Sequence, residues 1–199
     1  MKNKTNETKW SIDKSHSEIE FKVRHLMISN VKGSFKEFDA SIYTYGKDFL
    51  DAEINLWIDA SSIYTGDEKR DEHLKSADFF DVINHKQITF TSDTIGTPDK
   101  DGNHELWGEL SMRGITKNIK LDVQFGGIIN DPWGNERAGF IISGKLNRSD
   151  WELTWNTVLE TGGFMVSDEV VISCEVELIK VNQEELKMEL ELEADKVSV

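Results

Sequence analysis

The sequence predicts an all-β protein, an eight-stranded antiparallel barrel with a short helical insert around residues 66–82. Three observations carry this. Apolar and polar residues alternate with period two over many short runs, only two prolines and fourteen glycines interrupt the 199 residues, and a single stretch replaces the alternation with a capped helical pattern. A chain of this length makes one domain with a sizeable core.

The first run is the clearest. Between Ser17 and His25, the residues Ile19, Phe21, Val23 and His25 share one face and Glu18, Glu20, Lys22 and Arg24 the other, because successive strand side chains point oppositely. A weaker strand follows near Asp39 to Tyr45. Ala52, Ile54, Leu56 and Ile58 continue the pattern, then Ile88 and Phe90, then Leu106, Gly108, Leu110 and Met112. Ile119, Leu121, Val123 and Phe125 come next, followed by Ala138, Phe140, Ile142, Gly144 and Leu146, and finally Val170, Ile172, Cys174, Val176 and Leu178. Sheets wet on one face are usually antiparallel, and such a set of strands either closes into a barrel or splits into a sandwich. Long strands favour the barrel, as do the small inward residues Gly108, Ala138 and Gly144, which are expected to leave interior space.

Thr65-Gly66-Asp67-Glu68 has the spacing of a capping box and predicts a helix through Lys69–Lys75. Ser76–Asp81 reads as a second capped turn, with Phe79 and Phe80 as apolar plugs that pack against different strands at one barrel end. Residues 1–9 form a polar extension, 10–181 the barrel, and 182–199 an acidic tail. In that tail Leu186, Met188, Leu190 and Leu192 alternate as in a strand, whereas its Glu, Leu and Lys content favours helix, so an irregular or partner-dependent appendage is expected.

With 37 acidic against 23 basic side chains, the net charge of -14 disfavours nucleic acid and anionic bilayers as general partners. Cys174 is the lone cysteine, in a strand, and reads as packing. Met1–Lys9 lacks the apolar stretch of a secretory signal, and no segment approaches the ~20 apolar residues of a membrane span, so a cytoplasmic protein without a transmembrane segment is expected.

Polar chemistry finds little support. Histidines 16, 25, 73, 85 and 104 lack the close pairing of a zinc site, no Gly-x-Ser-x-Gly elbow is present, and Glu160-Thr161-Gly162-Gly163-Phe164 reads as a turn rather than a phosphate cradle. No catalytic residue, metal or cofactor is predicted. Arg70 with Asp71, and Arg148 with Asp150, read as structural fasteners, and either arginine near a cavity entrance could instead hold a phosphate headgroup. Trp10, Trp57 and Trp107 fall at strand ends or on outer faces, and Trp133, Trp151 and Trp155 in connections.

Several segments together resemble the YceI-like family, the lipocalin-shaped polyisoprenoid-binding proteins of bacteria. They are Trp10-Ser11-Ile12-Asp13 with His16-Ser17, Phe21, Val23, His25 and Gly33-Ser34-Phe35; the block Arg70 to Asp81; Gly108-Glu109-Leu110 with Gly114-Ile115-Thr116-Lys117; and Asn147-Arg148-Ser149-Asp150-Trp151 before Val166-Ser167-Asp168-Glu169-Val170. The resemblance covers Lys9 to about Lys180. It implies an eight-stranded barrel with a helical insert, an apolar cavity for a long isoprenoid or acyl chain, and often a homodimer; it implies nothing catalytic. The chain differs from many members in its acidic tail and in lacking their secretion signal.

The expected function is therefore binding, storage or transport of a polyisoprenoid, an isoprenoid-quinone precursor or a similar acyl chain. The expected ligand-binding residues are Ile19, Phe21, Val23, His25, Ile54, Leu56 and Phe79, with Phe80, Phe90, Leu110, Met112, Phe140 and Ile142. Such a site needs no polar motif, since a dozen buried methylenes at about 0.8 kcal/mol each give roughly 10 kcal/mol before association costs. Two alternatives differ in class: an enzyme on an apolar substrate with His25 or His73 as acid or base, or an interaction module with a filled barrel.

Overall fold

The computed structural model describes residues 7–46, 48–158 and 162–182. Its strands are β1 (Thr8–Ile12), β2 (Glu18–His25), β3 (Ser29–Phe35), β4 (Phe38–Thr44), β5 (Glu53–Asp59), β6 (Ile63–Tyr64), β7 (Gln87–Ile95), β8 (Asn103–Met112), β9 (Ile115–Asn130), β10 (Glu136–Asn147) and β11 (Val166–Lys180), with one helix, α1 (Glu68–Lys75). All pair antiparallel, in the order β1-β4-β5-β7-β8-β9-β10-β11, and β1 pairs again with β11 to close the ring.

Eleven segments make eight staves because the first three staves are each broken in the middle. β11 pairs with β2 through Val166–Glu175 and with β1 through Leu178–Lys180, so β1 and β2 form one interrupted stave. β3 and β4 form the second, and β5 and β6, separated by a 3-10 turn at Ala60–Ser62, form the third. The breaks lie level with one another, since Ile19 faces Phe35, Phe35 faces Ile63 and Phe38 faces Ile58. Above that level β6 has no pairing with β7, and α1 with the connection behind it takes the place of wall.

The sequence expectation of eight alternating staves is met, with corrections in detail. β1 starts at Thr8, inside the segment read as an extension. Trp10, read as a strand-end or outer residue, is a core residue 3% exposed, its Nε1 donating to Thr44 Oγ1 at 3.2 Å. Asp67, not Thr65, caps α1 by accepting from the Arg70 amide at 2.9 Å. Thr65 instead donates to Asp71 and accepts from Arg70 Nε at 2.7 Å. The tail from Gln183 onward, and residues 159–161 of the Glu160–Phe164 turn, lie outside the described residues.

The inward glycines do not leave space. A Cβ at Gly108 would lie 2.4 Å from the Thr91 carbonyl oxygen and 2.5 Å from the Phe90 ring, and one at Gly144 would lie 2.5 Å from Leu121 Cδ2. Neighbouring side chains already cover these positions, and Ala138 is fully buried as well. The interior volume therefore comes from wall shape rather than from missing side chains.

Arg137 ties the lower end. Its guanidinium reaches Asp13 at 2.7 Å, Asp131 at 2.8 Å and Glu177, joining the β1–β2 break, the β9–β10 turn and β11. The Asp13 carboxyl is held well below the usual carboxylate range, first by the Ser15 hydroxyl and then by His16 and Arg137 against the opposing effect of burial. Burial also works against Asp131, yet Arg137 and Asn135 outweigh it and hold that carboxyl low too.

Two predictions follow from this architecture. Gly108→Ala should destabilise the barrel by about 1–3 kcal/mol through overpacking, read from urea midpoints. For the Arg137 cluster, folded-state pKa values lie below unfolded ones near about 3.9, so the contribution is present above that pH and fades as pH falls through the folded values. Arg137→Ala should thus melt earlier than wild type at pH 7, with the gap narrowing below about pH 4; a gap independent of pH in thermal melts would contradict the assignment.

Candidate functional site

The barrel holds an elongated apolar cavity in two chambers. The upper has a volume of about 410 Å³ and lies above the strand breaks; the lower, about 170 Å³, lies below them. Ile19, Ile58, Leu110 and Ile172 line both chambers and form the neck between them. Inward positions of β11 run from Val166 in the upper chamber to Leu178 in the lower, a path of roughly 30 Å once strand tilt is allowed for.

The period of β2 builds one side of the upper chamber. Ile19, Phe21, Val23 and His25 climb from the neck toward the top, and Leu110 and Met112 end β8 opposite them. Phe79 and Phe80 complete the wall where β6 fails to meet β7. Phe80 sets its edge against Phe35 with centroids 5.8 Å apart, and Phe79 packs against Trp155 at 5.4 Å. Adjacent in sequence, the two rings thus face different partners. Ile54, Leu56, Phe90, Phe140 and Ile142 line the lower chamber. Phe49 also lines it and packs on Trp10, Phe125 and Phe140, with centroids 5.1, 5.8 and 4.9 Å away.

Two guanidiniums reach the upper chamber. Arg70 donates from Nε to Thr65 Oγ1 and from Nη2 to the Thr65 carbonyl at 2.8 Å, which fixes it at the start of α1. Arg148 is buried and donates to the main-chain carbonyls of Ser167 and Trp155, both at 3.0 Å, and of Leu153. It makes no ion pair with Asp150, contrary to the fastener expectation, because the 3-10 turn at Arg148–Trp151 directs Arg148 inward and leaves Asp150 exposed. Burial lowers the Arg148 pKa, opposed by the charge of Asp168. A cation on three carbonyl dipoles, with no carboxylate bonded to it, retains its capacity for an anion.

Among the described residues, the titratable groups form no acid–base pair inside. His73 Nε2 lies 3.0 Å from Asp78 Oδ2, but Asp78 is exposed and outside the chamber lining. The His73 ring itself serves as wall, edge-on to Trp155 at 4.7 Å and to Phe79 at 5.1 Å. Cys174 lines the lower chamber, and burial pushes its thiol up to about 11, away from nucleophilic character. Among the described residues Asp13, His16 and Glu177 bring metal-type ligand atoms together, yet Arg137 bonds both carboxylates and supplies the compensating charge.

The sequence expectation missed much of the lining. Val31 and Phe35 belong to β3, whose run after the Leu26–Ile28 turn is short; Trp151, Leu153 and Trp155 sit in irregular backbone without a period. Trp151 is 1% exposed and donates from Nε1 to the Leu110 carbonyl at 3.1 Å, which pins the connection over the chamber.

A closed antiparallel barrel around an elongated apolar cavity, with a helical insert standing in for part of one wall, defines the structural class. The chain belongs to the YceI-like family, whose domain model matches residues 10–178. A UPF0312 protein of Staphylococcus epidermidis is 37% identical over 171 residues, covering 85% of this chain and 96% of that protein, and one from Staphylococcus aureus is 36% identical with the same coverage. The crystal structure of a Campylobacter jejuni YceI protein superposes with a TM-score of 0.66 at 30% identity, covering 80% of this chain and 90% of that one. Burkholderia cenocepacia BcnA gives 0.71 at 20% identity, covering 83% and 98%. A polyisoprenoid-binding domain from Saccharophagus degradans gives 0.63 at 16%, covering 86% and 98%. The last two show the shared fold. No described helix is long and apolar enough to cross a membrane.

Arg148→Met would strip the donors from three carbonyls around a buried side chain. A loss of about 3 kcal/mol is expected from the value of hydrogen bonds to charged groups and the cost of stranded acceptors; an unchanged denaturant midpoint would show that these bonds contribute nothing net.

Proposed function

We propose that the protein binds, and stores or carries, a long-chain apolar lipid such as a polyisoprenoid, an isoprenoid-quinone precursor or a similar acyl chain. The observation that carries this is the two-chambered cavity, apolar from the neck down and cationic only in the upper chamber, where Arg70 and Arg148 line it. The chain lies along Phe21, Val23, Leu110 and Ile172 and continues past the neck toward Ile54, Leu56, Phe90, Phe140 and Ile142. Arg70 and Arg148 face an anionic or strongly polar headgroup. The polyisoprenoid-binding name of the Saccharophagus degradans domain agrees with this reading, its likeness being one of fold.

The reading is one of binding rather than catalysis. Affinity comes from removing methylenes from water, about 0.8 kcal/mol each, and selectivity from chamber length and shape. A long chain needs both chambers, so the neck decides what fits.

Native mass spectrometry of freshly purified protein, followed by organic extraction, should show a co-purifying lipid or uptake of prenyl chains offered in detergent. Protein that is repeatedly empty and refuses both prenyl and acyl chains would overturn the proposal. Ile172→Trp, which fills the neck, should weaken binding of long prenols by about tenfold or more while sparing short ones, since two excluded methylenes already exceed that factor.

A further inference from the structure

We propose that the upper rim of the barrel docks on a neutral lipid surface, so that the apolar chain passes between bilayer and cavity without crossing water. This rests on the lipid-binding reading of the same cavity. The rim is built from the β2–β3 turn and the connection entering β11, joined by the Leu26 amide donating to the Met165 carbonyl at 2.8 Å. His25, Met165 and Val166, the neighbours of that joint, line the upper chamber.

The turn is costly in local terms. Leu26 and Met27 both have positive φ, 50° and 62°, and the Ile28 amide closes back on the His25 carbonyl at 3.2 Å. Two central residues at positive φ favour Asn-Gly, and large apolar side chains are poor occupants. Arg24 holds the turn by donating from Nε and Nη2 to the Met27 carbonyl at 3.0 and 2.7 Å. The result is outward display of apolar groups, with Met27 54% and Ile28 83% exposed beside a cation. Across the joint, Val158 and Phe164 pair with each other and are 72% and 56% exposed.

Charge selects the surface. In a chain of net charge -14, residues 24–30, 153–158 and 162–167 contain no acidic residue, although Glu152, Glu160 and Asp168 border these stretches, whereas the opposite end gathers Asp13, Asp48, Asp99, Asp131 and Glu177. The described rim tips are thus low in acidic charge, and a neutral bilayer, which adds no charge of its own, suits them better than an anionic one. Apolar tips beside an arginine fit the interfacial zone of a membrane. A second copy fits less well, because a stable protein interface takes about 20–30 residues a side and two convex turn tips supply only a few.

The test uses the full-length protein and phosphatidylcholine vesicles, with a fluorescent polyprenol as cargo. Leu26→Asn with Met27→Gly installs the pair the turn prefers, so folding is retained, and Ile28→Ser with Phe164→Ser is an independent second variant. Wild type should float with vesicles and take up the polyprenol from them, and both variants should lose about tenfold or more in each measure, given the share of bilayer affinity carried by each buried methylene. Uptake from detergent micelles should stay equal to wild type. Vesicle flotation and transfer unchanged in both variants would overturn the docking proposal, as would variants that alter only the oligomeric state in light scattering, which would assign the rim to a second copy. Failure of every protein to load even from detergent would instead overturn the lipid-binding reading.

Discussion

β11 closes the barrel, and the cavity depends on how it does so. Its residues pair with β10 from Glu169 to Ile179 on one side, while on the other they must satisfy two separate strands, β2 and β1. Between those strands the chain turns away at Asp13–Ser17, which would strand main-chain groups at Glu177. Instead the Asp13 amide donates to the Glu177 carbonyl at 2.8 Å, and the Glu177 amide donates to Ser17 Oγ at 3.0 Å. The seam therefore has no open edge. Unpaired strand edges invite aggregation, and an apolar interior beside one would compound the hazard.

The same break sets the shape of the interior. Because the next two staves also break level with it, the wall bends along one line, passing Phe35, Phe38, Ile58 and Ile63. Main-chain groups along the line stay paired: the Lys36 amide donates to Ser62 at 3.1 Å, Asp59 to Glu37 at 2.9 Å, and Ala60 to Lys86 at 2.9 Å. Below the line eight paired staves pack around a narrow chamber. Above it the wall departs from the ring, and the gap beyond β6 is covered by aromatic side chains from α1 and its connection. A wider upper chamber follows from backbone geometry, with the glycines serving close packing rather than volume.

This explains which parts were legible in the sequence. Alternation marks a strand with one wet face, so the long staves and their inward residues, from Ile19 to His25 and from Phe140 to Leu146, could be read directly. Level breaks leave pieces such as β1 and β6 too short to show a period, and Leu26-Met27 hides the β2–β3 turn because it lacks the usual turn residues. Phe49 and Trp155 sit in irregular backbone, where only three-dimensional contact reveals that one walls the lower chamber and the other the upper. Arg148 was legible as a cation near a cavity entrance, but not its bonds to main-chain carbonyls in place of Asp150, since a 3-10 turn reverses the direction that a continuing strand would give it.

Local strain is distributed unevenly between the two ends. Among the described residues, the non-glycine positions at positive φ are Leu26, Met27, Asp81, Arg113 and Glu152, all in the upper half, whereas the lower end uses glycine at Gly102, Gly127 and Gly134. Each non-glycine instance costs on the order of 1 kcal/mol, and Arg148 adds a buried cation to the same half. Where stability alone is at stake, the lower end shows the cheaper solution. Local choices that oppose the fold tend to gather at functional sites. Here they surround the chamber that meets solvent, and the quiet lower end, tied by Arg137 and packed on Phe49, is the anchor against which that strain is held.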